Sequence, residues 1–578
     1  MRSVLRLKLR LLFGAILLVA LLIILRLYFV QVVRGGEYVL KAERQYESTS
    51  QALYDRGSIY FTRSDGTLLS AAGLEMGFRV AIDPIHITEP ERVFETIVAH
   101  APLDRVAFDN AALKTDDPYE ALIARVSEEA GRAISEKDVE GIIVERERWR
   151  HYPAGMNAAQ SIGFVAYDDD DVLAGRLGLE RYYNDALDRG KEGLFGNFFA
   201  ELFADVDDVV GDARKAREGD VVTSIEPVVV EKLDHVLRAV HAYYGSRETG
   251  GIIMNPKTGE IIALQTVPTF DPNDFSQSDP VHFGNPLVEH RYEFGSIVKA
   301  LTMAAGLDAG VIQPETTYTD TGSITLNSKT ISNYDGKARG VVPMQEILSQ
   351  SLNLGVSFIA GRLGHERFRS YFESLGLGTE TGIDLPSEIS GDINNIMNSP
   401  RDVEYATASF GQGIAMTPVQ MIKALGALAN DGRVVTPHLA RTIKLSSGLE
   451  KELTWGEESE VFSADAVQKT TRMLVRVVDS ALAKGAHSIP EMSVAAKTGT
   501  AQIAGPEGGY YDDRYFHSFF GYFPAYDPEF IILLYTREPN GVQYASETLT
   551  SPFFELVQFL IHYYDVPPDR AEYTSHST

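Results

Sequence analysis

Ser296-Ile297-Val298-Lys299, within RYEFGSIVKALTMAAGL (residues 291–307), is the stretch on which the reading of this 578-residue chain turns. Residues 296–307 are rich in good helix formers and run out near Gly310, which predicts a helix beginning at the serine. On such a helix, positions i and i+3 share a face, so Lys299 is expected beside Ser296. The first turn also lies in the positive end of the helix dipole, which favours developing negative charge. A serine hydroxyl is a poor nucleophile until a base takes its proton. A lysine serves as that base near neutral pH only when its pKa is depressed, to about 7–8 in tuned sites. Phe294, Ile297, Val298 and Met303 offer an apolar setting, and Lys497 is a candidate second positive charge. A lone Ser-x-x-Lys reads as a helix cap with a solvated lysine. This one is unique in the chain, and two further motifs follow it.

Ser351-Leu352-Asn353 comes 55 residues after Ser296, and Lys497-Thr498-Gly499 another 146 after Ser351. Taken alone, the first of these reads as a loop or a helix cap, since Ser and Asn favour both. Lys-Thr-Gly occurs twice. Lys257-Thr258-Gly259 lies between two apolar runs in GGIIMNPKTGEIIAL, where Pro256 and Gly259 mark a hairpin turn, so that copy reads as structural. The second copy follows the small apolar stretch at 493–496, which reads as a strand end where Gly499 lets a substrate backbone approach.

The ordered series Ser-x-x-Lys, Ser-x-Asn, Lys-Thr-Gly resembles the signature of penicillin-binding proteins and class A β-lactamases. Tyr292-Glu293-Phe294-Gly295-Ser296 is similar to the family's Tyr-Glu-Pro-Gly-Ser, with Phe294 in place of proline. Ala408-Ser409-Phe410-Gly411-Gln412-Gly413, followed by Thr417-Pro418-Val419-Gln420, resembles a segment of the division-type members. Arg56-Gly57-Ser58-Ile59-Tyr60, Arg150 to Gly155 and Gly178 to Tyr183 resemble landmarks of the class B pedestal, although Arg63-Ser64-Asp65-Gly66 departs from the usual Asp-Arg-Asn-Gly. The likeness spans residues 35–565. It implies a D,D-transpeptidase that cross-links peptidoglycan stem peptides ending in D-Ala-D-Ala and is acylated by β-lactams. By the same resemblance, Ser296 is the nucleophile and Lys299 the general base, and the backbone N–H groups of Ser296 and Thr500 form the oxyanion hole. Ser351 and Lys497 pass the proton to the leaving D-alanine. Asn353 binds the substrate peptide, and Lys497 with Thr498, Gly499 and Thr500 faces its terminal carboxylate.

The length suits two extracytoplasmic domains plus an anchor. Residues 11–25 are an unbroken apolar run that continues past Arg26 to Val33, 23 residues against the roughly 20 needed to cross a bilayer core. Arg2, Arg6, Lys8 and Arg10 precede it, which places the N-terminus in the cytoplasm. With no small-x-small cleavage site after it, the run reads as an uncleaved anchor in the bacterial inner membrane and not as a signal peptide. The formal net charge is −27, and residues 1–34 carry six basic residues and no acids, leaving −33 for the remainder. An exterior so acidic argues against nucleic-acid binding. With no cysteine and only scattered histidines, no disulfide, thiol chemistry, metal site or cofactor is expected.

The expected organisation is a cytoplasmic tail (1–10), a transmembrane helix (11–33), a pedestal of the dimerisation type (34–220), a transpeptidase domain (245–565) and a loose tail (566–578). The pedestal carries no catalytic constellation, and its acidic run at 168–171 reads as a solvated loop. After a strand at 221–225 and a helix through 238, the pattern from 250 onward is a hairpin, a helical middle and strands at 493–496, 516–523 and 530–535. The fold class is therefore α+β, an antiparallel sheet flanked by helices. The bifunctional class A type is disfavoured, since its glycosyltransferase is built around a Glu-Asp motif and no Glu-Asp pair occurs in the chain. A D,D-carboxypeptidase using the same residues, a β-lactamase, and a non-catalytic β-lactam sensor or divisome scaffold remain as alternatives. The division-type segments point to septal synthesis, with a polytopic glycan polymerase and other divisome membrane proteins as partners.

Overall fold

A computed structural model describes residues 55–167, 173–189, 218–505 and 508–570. Among these, no helix is long and apolar enough to cross a membrane. The anchor expected at 11–33, the acidic run at 168–171 and the tail beyond 570 lie outside the described residues.

Contacts divide the chain into two compact units. In the smaller, which includes Leu74–Arg150, the strand Glu120–Val126 pairs with the second half of the strand Leu68–Ile82, and the strand Ile142–His151 pairs with that strand as well. Val80, Ile82, Val93, Ile97, Phe108 and Ile134 form its core. Its helices at Arg105–Ala112 and Glu128–Ser135 start on the side-chain caps of Asp104 and Ser127, each satisfying a backbone N–H that the first turn leaves free.

The larger unit takes in Gly57–Gly73 and His151–Arg189 as well as the C-terminal part, so these segments group with the latter and not with the rest of the 34–220 stretch. The reason is non-local bonding. Strand Ile59–Thr62 pairs in parallel with Gly219–Thr223, which pairs in turn with Ala440–Leu445. The fully buried Asp384 carboxylate, pushed up to about 6 by burial, accepts from the N–H groups of Leu439 (2.7 Å) and Ala440 (2.8 Å) and from the Tyr183 hydroxyl (2.9 Å).

The centre of this unit is a five-stranded antiparallel sheet of β1 (Glu248–Met254), β2 (Ile261–Val267), β3 (Ala495–Ala504), β4 (Tyr510–Phe523) and β5 (Phe530–Arg537). The spatial order is β3-β4-β5-β1-β2, which leaves β3 at an edge. Helices cover both faces: α1 (Pro227–Tyr244) and α6 (Thr550–Tyr563) on one, α2 (Val298–Asp308), α4 (Pro418–Gly426) and α5 (Ala464–Arg476) on the other. Alternation along β4 explains how one strand serves both. Phe519 stacks on Phe553 of α6 at 4.4 Å between ring centres. From the opposite face, the Tyr522 hydroxyl lies 2.8 Å from that of Thr471 on α5. The α+β expectation thus describes the fold. The strand expected at 493–496 in fact begins at Ala495 and runs through the whole Lys-Thr-Gly motif to Ala504, because pairing with β4 continues from Tyr522 back to Tyr510. The chain end is also tied as far as it is described: Asp569 accepts from the Ser493 N–H at 2.7 Å, and Arg570 pairs with Asp479 at 2.8 Å.

Candidate active site

The serine turn comes first. Gly295–Ile297 form a 3-10 turn and α2 starts only at Val298, so Ser296 lies in that turn, two residues ahead of the α-helix expected to begin with it. Gly295 has φ of +64°, and a Cβ there would lie 2.6 Å from the Thr500 carbonyl oxygen. Only glycine allows β3 to press this close to the turn. Ser296 is half-buried and opens into a cleft of about 910 Å³; among the described residues its hydroxyl has no hydrogen-bond partner.

Lys299 is fully buried. Its Nζ donates to the Ser351 carbonyl at 2.6 Å and lies 3.1 Å from Ser351 Oγ. The expected face-sharing with Ser296 therefore comes with a bond to Ser351 instead. Tertiary packing supplied the closer acceptor. Lys497 Nζ reaches the same Oγ at 3.2 Å and donates to the Thr498 carbonyl at 2.9 Å. One hydroxyl is thus held between two lysines, and its two lone pairs suffice for both. Burial, and then the charge of Lys497, hold the Lys299 amine well below the ordinary lysine range; burial alone takes Lys497 down to about 7. A buried lysine loses its proton more readily because the charged form is the one that burial penalises.

Ser351 occupies a tight turn between the helix Met344–Ser349 and α3 (Asn353–Ser374), with φ of +55°. A non-glycine residue held in that region costs about 1–3 kcal/mol, strain that persists only where the surroundings enforce it. Here the two lysines and the Leu352 N–H bond to the Ile347 carbonyl do so. Asn353 is the first residue of α3 and lines the cleft, its Nδ2 donating to the Ser332 carbonyl at 2.8 Å. Thr498 and Thr500 line the cleft from the edge strand. Gly499 has a different reason to be glycine from the expected approach of a substrate. Its Cβ would meet Ser518 Oγ at 2.3 Å and the Phe294 carbonyl at 2.5 Å, so its smallness lets β3 lie against the serine turn. Phe294, in place of proline, is fully buried, and its carbonyl accepts from Ser518 Oγ at 2.8 Å.

Residues 249–557 match the family model described as the penicillin binding protein transpeptidase domain, more than half of the chain. The chain belongs to this family. It is 27 % identical over 577 residues to stage V sporulation protein D of Bacillus subtilis, covering 95 % of this chain and 84 % of that one. It is 24 % identical over 582 residues to the peptidoglycan D,D-transpeptidase FtsI of Buchnera aphidicola, covering 97 % and 96 %. Its fold resembles that of penicillin-binding protein 3 of Mycobacterium tuberculosis complexed with ampicillin, with a TM-score of 0.66 at 23 % identity, covering 89 % of this chain and 96 % of that one.

The cleft of this penicillin-binding protein contains more than the three motifs. Gln502 also lines it, continuing the alternation Thr498, Thr500, Gln502 along β3, a period-two signal available in the sequence. Phe410 lies beneath Lys299, 6.0 Å from Nζ to ring centre. Tyr334 and Tyr544 meet edge to face, with ring centres 6.0 Å apart. No local pattern marks either tyrosine, because they come from loops 210 residues apart.

Proposed function

We propose that this protein is a class B D,D-transpeptidase of peptidoglycan synthesis. The observation that carries the reading is the Ser351 hydroxyl held between Lys299 and Lys497 in the cleft onto which Ser296 opens. Neutral Lys299 takes the proton as Ser296 Oγ attacks the carbonyl between the two terminal D-alanines. The N–H groups of Ser296 and Thr500 stabilise the oxyanion, where oriented donors act most strongly on developing charge. Collapse breaks the peptide bond, and the proton held by Lys299 passes through Ser351, beside Lys497, to the departing D-alanine amine. An amine of a neighbouring stem peptide then attacks the ester, its proton returning through Lys299 to the departing Ser296 Oγ as the cross-link forms. Protonated Lys497, with Thr498 and Thr500, holds the terminal carboxylate, and Asn353 holds the peptide. β-Lactams acylate the same serine. The Buchnera relative's name and the ampicillin complex of the Mycobacterium protein support this reading.

The setting we assign is the bacterial inner membrane, with residues 11–33 as a single-pass anchor, the catalytic domain outside, and septal synthesis alongside a polytopic glycan polymerase. The basic N-terminus and apolar run support the anchor, and the segments 292–293 and 408–413 support the septal assignment. Labelling with a fluorescent penicillin tests the chemistry: wild type should label, Ser296→Ala should not, and mass spectrometry should place the adduct on the peptide containing Ser296. Depletion in the host tests the setting, with filaments and unfinished septa expected. Rounded cells that still divide would assign the protein to elongation.

A further inference from the structure

Two segments singled out by resemblance, 292–296 and 408–413, are joined by one side chain that the reaction above does not use. The Glu293 carboxylate accepts from the Gly413 N–H at 3.0 Å and from the Tyr510 hydroxyl through both oxygens, at 3.0 and 3.2 Å. The same loop is pressed on the serine turn: Gly295 N–H donates to the Gly411 carbonyl at 3.2 Å, and a Cβ on Gly411 would lie 2.4 Å from the Gly295 carbonyl oxygen. Tyr510 begins β4, pairs with Ala504 at the far end of the β3–β4 hairpin, and lines the cleft, whereas Glu293 stands behind the lining. Burial pushes Glu293 up to about 7, so the fold keeps this carboxyl against an electrostatic cost.

We infer that Glu293 is a positioning residue, fastening the far end of the β3–β4 hairpin and the 411–413 loop to the serine turn. The edge strand is the wall along which a peptide is aligned. Its middle lies at Gly499 against Phe294, and its far end, Ala504, pairs with Tyr510, which is fastened to Glu293. Held at both points, the strand keeps a bound peptide's carbonyl in register with Ser296 Oγ. A misplacement of about 1 Å in such alignment costs on the order of 100-fold in rate. The inference rests on the acylation proposed above.

Saturation kinetics of acylation by a fluorescent penicillin separate its binding constant from its acylation rate constant. Glu293→Ala should lower the rate constant by about 10- to 100-fold. Glu293→Gln, which keeps an acceptor for Gly413, should fall between it and wild type. Tyr510→Phe, which removes one partly exposed hydroxyl, should lower the rate constant about 3- to 10-fold while its melting temperature stays near wild type. The double variant should be no slower than Glu293→Ala, because both changes cut one linkage. Tyr510→Phe acylating at the wild-type rate, or a double variant whose loss is the product of the single losses, would overturn the inference. Should Glu293→Ala fail to fold, Tyr510→Phe alone decides. A wild-type protein that does not acylate would remove the underlying reaction instead, so the two failures are distinguishable.

Discussion

The chain uses Lys-Thr-Gly twice, and the copies share nothing but their letters. Lys257-Thr258-Gly259 turns the hairpin between β1 and β2, where the half-exposed Lys257 pairs with Asp527. Gly259 is needed for its φ of +84°, and a Cβ there would meet the Thr436 carbonyl at 2.3 Å. Lys497-Thr498-Gly499 lies inside an edge strand, with its lysine buried on a serine hydroxyl and its glycine packed against the serine turn. The difference teaches that a lysine's chemistry comes from what surrounds it. Lys257 lies at the surface, whereas Lys497 is buried and burial shifts it down to about 7.

The widest gap between the copies should appear in acylation. Lys497→Ala leaves a substrate carboxylate unpaired in a desolvated site, at a cost of about 2–5 kcal/mol. Penicillin acylation is therefore expected to fall by about two orders of magnitude or more, measured as a second-order rate constant. A loss under fivefold would refute the role given to that copy.

The pH profile sharpens the same contrast. Lys299 must be neutral to act, and it is neutral above its depressed pKa, so acylation rises with pH at first. Lys497 must be charged to hold the carboxylate, and it is charged below about 7, so the profile falls again above that point. A bell is expected, losing up to about tenfold per pH unit on its alkaline side, and its two limbs belong to the coupled pair. Lys497→Arg keeps the charge at every accessible pH and should abolish the falling limb.

A smaller effect separates the glycines. Gly499→Ala forces β3 off the serine turn and should slow acylation several-fold, together with an overpacking cost of about 1–3 kcal/mol. Gly259→Ala should lower the melting temperature by a few degrees and leave the acylation rate constant of the folded protein within twofold. Smallest of all, Lys257→Ala removes an exposed ion pair of a kind worth at most about 1 kcal/mol and should change acylation less than twofold.

Much of the site was legible because its parts are local. Ser296 and Lys299 are three residues apart on one turn, and Lys497 to Thr500 follow one another on a strand, so short motifs reported them. Helix and strand periodicity likewise announced the α+β layers and the hairpin at 255–260. Other features escaped because they depend on residues far apart in sequence. That Lys299 bonds Ser351 rather than Ser296, and that the Tyr183 hydroxyl docks on Asp384 201 residues away, are facts of packing. Phe410, Tyr334 and Tyr544 reach the cleft from separate loops, and nothing in their immediate sequence says so.

By itself the sequence determined the inventory: one serine with a lysine a turn away, a serine and asparagine in a turn, a lysine on a strand of small residues, no thiol, and a strongly acidic chain. The tertiary structure decided which hydroxyl the two lysines share and how far each lysine is stripped of its charge. Composition and spacing are properties of the chain, whereas desolvation exists only once segments hundreds of residues apart have closed over a group and removed its water.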